Sequence, residues 1–161
     1  MIDLSDKQIS EFYYRSYTAA DGLWFMKVEE KYGFDTALEI DNEVWKVLPK
    51  IQARMLKSIG KMGNGIEALR DCFTTKLTLD GFTFKTENIE GGIGFRVIIN
   101  RCPWHDTMVK SGREHLSEKV GARICNTECS AWASEFHDNI SAEIQSQICN
   151  GSKTCQLHFS H

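Results

Sequence analysis

The stretch LTLDGFTFKTENIEGGIGFRVIINRC, residues 77–102, decides how this chain folds, because the spacing of its apolar residues changes inside it. Up to Leu77 apolar side chains recur every three or four positions. After the turn dipeptide Asp80-Gly81, Phe82, Phe84 and Thr86 alternate with Thr83, Lys85 and Glu87. A period of two is that of a strand, whose successive side chains point to opposite faces. Glu90-Gly91-Gly92 closes this segment, and residues 94–100 then carry Phe95, Val97 and Ile99 on one face, so the two segments form a β-hairpin. Cys102 lies just past its end.

Upstream, residues 1–78 read as helical. Ser5 is an N-cap for a stripe of Ile9, Phe12, Tyr13 and Tyr17 that continues through Leu23, Trp24, Val28 and Tyr32, and Gly33 stops it. Asp35 is an N-cap candidate for a second helix in which Leu38, Val44, Trp45, Leu48, Ile51, Met55, Leu56 and Ile59 recur at helical spacing. Pro49 inside that run predicts a kink or a break. Gly60, Gly63 and Gly65 mark the next boundary, before a third helix over 66–76.

Downstream, 104–110 and 114–139 are helical, and 141–149 with 154–160 make a second hairpin. The outline of 79–161 is therefore ββααββ. The expected fold class is α+β: a single domain over 1–161 in which the helical half, 1–78, packs as a layer on a small antiparallel sheet of two hairpins with intervening helices.

With 161 residues the chain is long enough for one domain with a real core, burying roughly 70% of its unfolded surface. Its net charge of -3 offers no electrostatic reason to expect nucleic acid or anionic membrane as a partner. No apolar run reaches the roughly 18 residues of a membrane span. Asp3, Asp6, Glu11 and Arg15 interrupt the first residues, so no apolar leader core is formed and a cytoplasmic location is expected. A small molecule is the expected partner. The aromatic stripe Phe12, Tyr13, Tyr17, Trp24 and Phe25 reads first as core, and alternatively as the lining of an apolar pocket or the face of a homodimer formed through the helical half.

The chemistry concentrates near the C-terminus, where Cys102, Cys125, Cys129, Cys149 and Cys155 are five of the chain's 6 cysteines. Such a cluster binds metal, makes disulfides or does redox chemistry, and in a reducing cytosol metal binding or catalysis is favoured over structural disulfides. Cys125 and Cys129 are i and i+4 on the second helical segment, so they share one face about a turn apart. Cys102 follows a strand and precedes Pro103-Trp104-His105, while Cys155 begins a strand facing the same way as Leu157 and Phe159. Four thiols thus come from three elements.

Cys149 depends on a turn. If Gly151-Ser152 is a two-residue type II′ turn, Ile148 lies opposite Cys155, Ile144 lies beside Phe159 and Cys149 points to the other face. A longer loop sets Cys149 across from Cys155 instead. Cys72, on a face with Leu69 and Lys76, reads as a buried thiol. His105 is either a ligand or acid–base group beside Cys102 or an exposed histidine at a helix N-terminus. The remaining histidines show no ligand spacing, and no HExxH, GxSxG, GxGxxG or P-loop pattern occurs.

The combination Cys102-Pro103-Trp104, Ile124-Cys125, Glu128-Cys129 and Ile148-Cys149-x-Gly151-x-x-x-Cys155-x-x-x-Phe159 resembles a group of small cytosolic archaeal and bacterial proteins of unknown function, a likeness extending to Trp24 and Tyr32-Gly33. The C-terminal half is similar, more distantly, to the aminothiazoline carboxylate hydrolase-like family and to the four-vinyl reductase domain. The latter resemblance implies an α+β fold, a ligand pocket and metal-binding cysteines at Cys149 and Cys155. The former implies roles for Cys102, Cys125 and Cys155 in opening a sulfur-containing ring. Those hydrolase-like proteins carry an Asp-type residue near the helix cysteine, where this chain has Glu128 and Cys129.

Two expectations follow. In the first, Cys102, Cys125, Cys129 and Cys155, with Cys149 as alternate, hold zinc or an iron–sulfur cluster beside a small-molecule pocket, because all-sulfur sets select those metals. In the second, Cys102 is a nucleophile favoured by a helix N-terminus, with His105 or Glu128 moving protons. A structural protein with buried thiols is the third.

Overall fold

The computed structural model describes residues 1–89, 94–137 and 139–161. The turn read at Glu90-Gly91-Gly92 lies outside them. The chain divides into two compact units, Met1–Asp41 and Asn42–His161.

The first unit is dominated by helix α1, Asp6–Tyr32, which begins as the sequence suggests. The Ser5 hydroxyl accepts from the Gln8 N–H while the Gln8 side chain accepts from the Ser5 N–H, a reciprocal cap that satisfies two otherwise unpaired donors. Gly33, at φ 85°, ends the helix with its N–H bonded to the Glu29 carbonyl. Helix α2, Phe34–Trp45, starts at the next residue, so Asp35 sits in its first turn and is not its N-cap. Phe25 and Phe34 meet edge to face across this corner, centroids 5.9 Å apart.

In the second unit Pro49 marks a break. Helix α2 ends at Trp45 and α3, Leu48–Gly60, starts with Pro49 in its first turn, where a missing N–H costs nothing. Helix α4, Ile66–Leu79, follows. Strands β1, Thr83–Asn88, and β2, Gly94–Arg101, pair antiparallel as the change of period implies. Helix α5, Pro103–Lys110, and helix α6, Ser117–Ser134, precede strands β3, Ser141–Ser146, and β4, Cys155–Ser160. The helix expected to reach residue 139 stops at Ser134, because Arg54 and Lys57 of α3 capture the next residue: Arg54 bonds both Glu135 carboxylate oxygens at 2.8 Å and Lys57 donates to its carbonyl at 3.0 Å.

The strand order is β1-β2-β4-β3, so the two hairpins join through their inner strands into one antiparallel sheet. Phe95, Val97 and Ile99 of β2 and Leu157 and Phe159 of β4 are buried on the face that joins the core with Leu69, Phe73 and Leu77 of α4 and Trp132 of α6. Phe73 contacts Trp132 and Phe159 edge to face, and Phe95 stacks on Phe159 with centroids 5.0 Å apart. Each such ring removes on the order of 1.5–3 kcal/mol worth of apolar surface from water. Gly94 permits the closest approach of the inner strands, since a Cβ there would come within 2.5 Å of the Phe159 carbonyl oxygen. The α+β class, with helices from the N-terminal half packed on a small antiparallel sheet, is thus the observed fold.

The second hairpin differs from its sequence reading. Ala142 faces Phe159 and Ile144 faces Leu157, two residues away from the expected register, and the strands are joined by a loop over 147–154 instead of a two-residue turn. A slip of two keeps Ile144 on its expected face, which is why the apolar pattern could not detect it. The loop holds a 3-10 turn, Ile148–Asn150, closed by Gly151 at φ 90°. Ile148 is not paired opposite Cys155 in the ladder. Its N–H donates to the Cys155 sulfur at 3.2 Å.

Candidate functional site

The antiparallel pairing of β2 with β4 brings the end of one strand to the start of the other. Ile99 lies opposite Cys155, so Cys102, three residues on, emerges at the edge where Cys155 begins. Along α6, Gly121, Cys125, Glu128 and Cys129 share one face by helical spacing, and this face lies against the loop that carries Cys149. The contact at Gly121 is close: a methyl group there would overlap the Cys149 sulfur. Gln147 Nε2 donates to the Gly121 carbonyl at 3.1 Å, and Ser117 Oγ bonds the Glu114 carbonyl and, at 3.5 Å, that of Cys149. The longer loop therefore puts Cys149 on the cluster side, reversing the placement expected from a two-residue turn.

Five thiols from four elements converge here. Each acts electrostatically on at least two of the others: Cys102 with Cys125, Cys149 and Cys155; Cys125 also with Cys129 and Cys149; Cys155 also with Cys129 and Cys149. Burial pushes the Cys102 thiol up to about 11, with Cys155 and Glu128 adding to the effect, although the backbone N–H groups of His105 and Trp104 at the start of α5 favour its thiolate. Cys102 makes no side-chain cap on α5. Cys125 and Cys129 are raised strongly, first by burial and next by the Glu128 carboxylate. Burial likewise raises Cys149, opposed by its own backbone N–H, and Cys155, opposed by the Ile148 N–H. Cys72 stands apart as a core thiol, 3% exposed, as expected.

Glu128 is not a free carboxylate. It bonds the ammonium of Lys76, a residue of α4 that is 3% exposed and also contacts Asp80 Oδ2 at 3.1 Å and the face of the Phe82 ring. Burial alone would lower the Lys76 pKa, but the two carboxylates outweigh it and hold the ammonium charged. Lys76 escaped functional notice in the sequence, where it appears only beside Leu69 and Cys72. The available signal was a lysine on an apolar helix face with an aspartate at i+4. His105 reaches the cluster through its backbone; its ring Nδ1 is buried with no hydrogen-bond partner.

As placed, no group of three or more His, Cys, Asp or Glu side chains among the described residues could hold a metal ion. Among the described residues, open grooves include one of about 340 Å³ lined by Arg70, Asp71, Thr74, Thr78, Phe84 and Thr86 and one of about 500 Å³ lined by Lys46, Lys50, Thr127, Ser130 and Ser134. None of the five clustered thiols lines either. No helix among the described residues is long and apolar enough to cross a membrane.

Sequence comparison places the chain in a family. Residues 4–152 match the model of a family of unknown function (DUF6125), and the chain belongs to that family. No curated protein and no solved structure matches it. The family assignment agrees with the likeness to small proteins of unknown function and does not extend to aminothiazoline carboxylate hydrolases or four-vinyl reductase domains.

Proposed function

We propose that this protein is a cytoplasmic metal-binding domain in which thiolates drawn from Cys102, Cys125, Cys129, Cys149 and Cys155 hold zinc or an iron–sulfur cluster. The observation that supports the reading is that five thiols from four elements, Cys129 buried and the other four half-buried, lie near enough to act on one another electrostatically; as placed they do not yet form a closed ligand set. Each thiol disfavours ionisation of its neighbours, and a carboxylate adds to that field, so the cluster is a poor place for free thiolates. A soft cation supplies the missing positive charge, and sulfur donors select zinc or iron–sulfur over harder ions. Four thiolates would close a tetrahedral shell with one thiol left over, leaving no open position for Lewis-acid chemistry; the metal's role is then structural or electron-carrying. A small-molecule ligand remains part of the proposal, with the two grooves as its candidate seats.

Metal and acid-labile sulfide, measured on protein purified without oxygen together with the visible spectrum, test this directly. About one zinc per chain, or iron with sulfide and a broad visible band, is expected, and Cys125→Ser should lower both the metal content and the melting temperature. Metal-free wild type would overturn the proposal.

The second reading, a thiol hydrolase with Cys102 as nucleophile and His105 or Glu128 as proton carriers, draws on the α5 amides that point at the Cys102 sulfur. It predicts one thiol alkylated much faster than the rest in metal-free protein. The net upward displacement of Cys102 works against it.

A further inference from the structure

Helix α1 is apolar on two sides. On its covered side Val28 is buried and Phe25 meets Phe34. On the opposite side Ile9, Phe12, Ser16, Ala19, Leu23 and Met26 are all exposed. They follow one another in alternating steps of three and four, the a and d positions of a heptad, which lets one helix lie along another. Tyr13 and Trp24 flank this seam, and no charged residue interrupts it between Asp6 and Lys27. The aromatic stripe of α1 therefore divides. Phe25 faces inward, while Phe12, Tyr13 and Trp24 are 63%, 66% and 65% exposed.

We propose that this seam of α1 pairs with the same seam of a second copy of the chain, antiparallel about a twofold axis. The surface lies within the unit Met1–Asp41 and stands independently of the metal-binding reading. Three features select a second copy as the occupant. The seam is self-complementary, with large residues at both ends and small ones in the middle. Antiparallel layers set Ile9 against Met26, Phe12 against Leu23 and Ser16 against Ala19 of the second copy, and the backbones approach most closely at the centre. The same register brings Asp6 of each copy beside Lys27 of the other, an opposite-charge pair that the symmetry repeats. Within the chain Lys27 pairs with Glu30, both more than half exposed, a contact weak enough to be exchanged. The area is also of the right size. Three rings of about 200 Å² each, roughly two-thirds exposed, offer on the order of 400 Å², half of the roughly 800 Å² per partner of a specific interface, and the aliphatic residues of the seam add to it.

Sedimentation of the full chain over a range of concentrations tests this, with folding checked by circular dichroism. Wild type should be a dimer at micromolar concentration that dissociates on dilution. Ala19→Arg puts a long cation into the middle layer at a position exposed in the single chain, and should give a folded monomer. Asp6→Lys and Lys27→Glu should each weaken the dimer about tenfold, and the double variant should recover most of that loss. If Ala19→Arg fails to fold, the charge exchange still decides. Wild type that stays monomeric at about 100 μM overturns the inference. So does monomeric wild type that binds vesicles of phosphatidylglycerol, which would give the face to a lipid surface. A dimer indifferent to Ala19→Arg is formed elsewhere on the chain and overturns it too, and a double variant as weak as the single ones overturns the antiparallel register.

Discussion

At one end of the β2–β4 pair Phe95 lies opposite Phe159, their rings stacked 5.0 Å apart and closed off by Phe73; at the other end Ile99 lies opposite Cys155 and Cys102 follows three residues later. Both ends sit against α6, Trp132 toward the aromatic part of the core and Cys125 and Cys129 toward the thiols. Burial has different consequences at the two. For the phenylalanine rings it is a direct gain, since apolar area leaves water and they carry no polar atom to satisfy, whereas the Trp132 Nε1 beside them is buried with no hydrogen-bond partner among the described residues. For the thiols it holds each in the neutral form and leaves several donors of one kind facing each other, an arrangement that contributes less to stability than it offers to a ligand. Stability and chemistry are thus separated along the same two strands.

The largest test of that separation is Phe159→Ala. Phe159 is fully buried against two rings, so its truncation should cost about 3–5 kcal/mol, read from urea denaturation, while the folded fraction keeps whatever metal the wild type binds. Loss of metal from folded Phe159→Ala protein would mean that the two ends are not independent.

Gly121→Ala addresses the thiol end. The added methyl must displace the Cys149 sulfur, an overpacking expected to cost about 1–3 kcal/mol in chemical denaturation. If Cys149 is one of the metal-binding thiols, metal content falls together with stability; if metal content holds, the shell is made by the other four.

The smallest expected effect is on alkaline stability. Cys102 has a pKa near 11 in the fold against an ordinary value of 9.0, so folding favours its protonated form. The unfolded chain releases that proton first, and the contribution is full below about pH 9 and lost as pH rises toward 11. Metal-free wild type should therefore lose stability over that window more steeply than Cys102→Ser does, as measured by denaturation at a series of pH values. Equal slopes would show that Cys102 is not held neutral by the fold.

Much of this was legible in the sequence. The change from helical to alternating spacing at Asp80-Gly81 marks the boundary between helices and sheet, because each period reports only which face of a local element is dry. The cap at Ser5, the stop at Gly33 and the break before Pro49 are likewise local. The end of α6 was not legible, because Glu135 is captured by Arg54 and Lys57 from a distant helix. The register of β3 with β4 was not either, since a slip of two leaves the apolar face unchanged. That slip decided where Cys149 lies.

By itself, then, the sequence determined the kinds of element, their order and the identity of the five clustered thiols, all of which follow from local spacing and composition. Only the tertiary structure decided that β2 pairs with β4 and so brings Cys102 to Cys155, that the 147–154 loop folds over Gly121 and carries Cys149 inward, and that Lys76 reaches across from α4 to Glu128. Those contacts join residues 28 to 53 positions apart, and pairings at such separation are chosen by how whole faces pack, which no local pattern encodes.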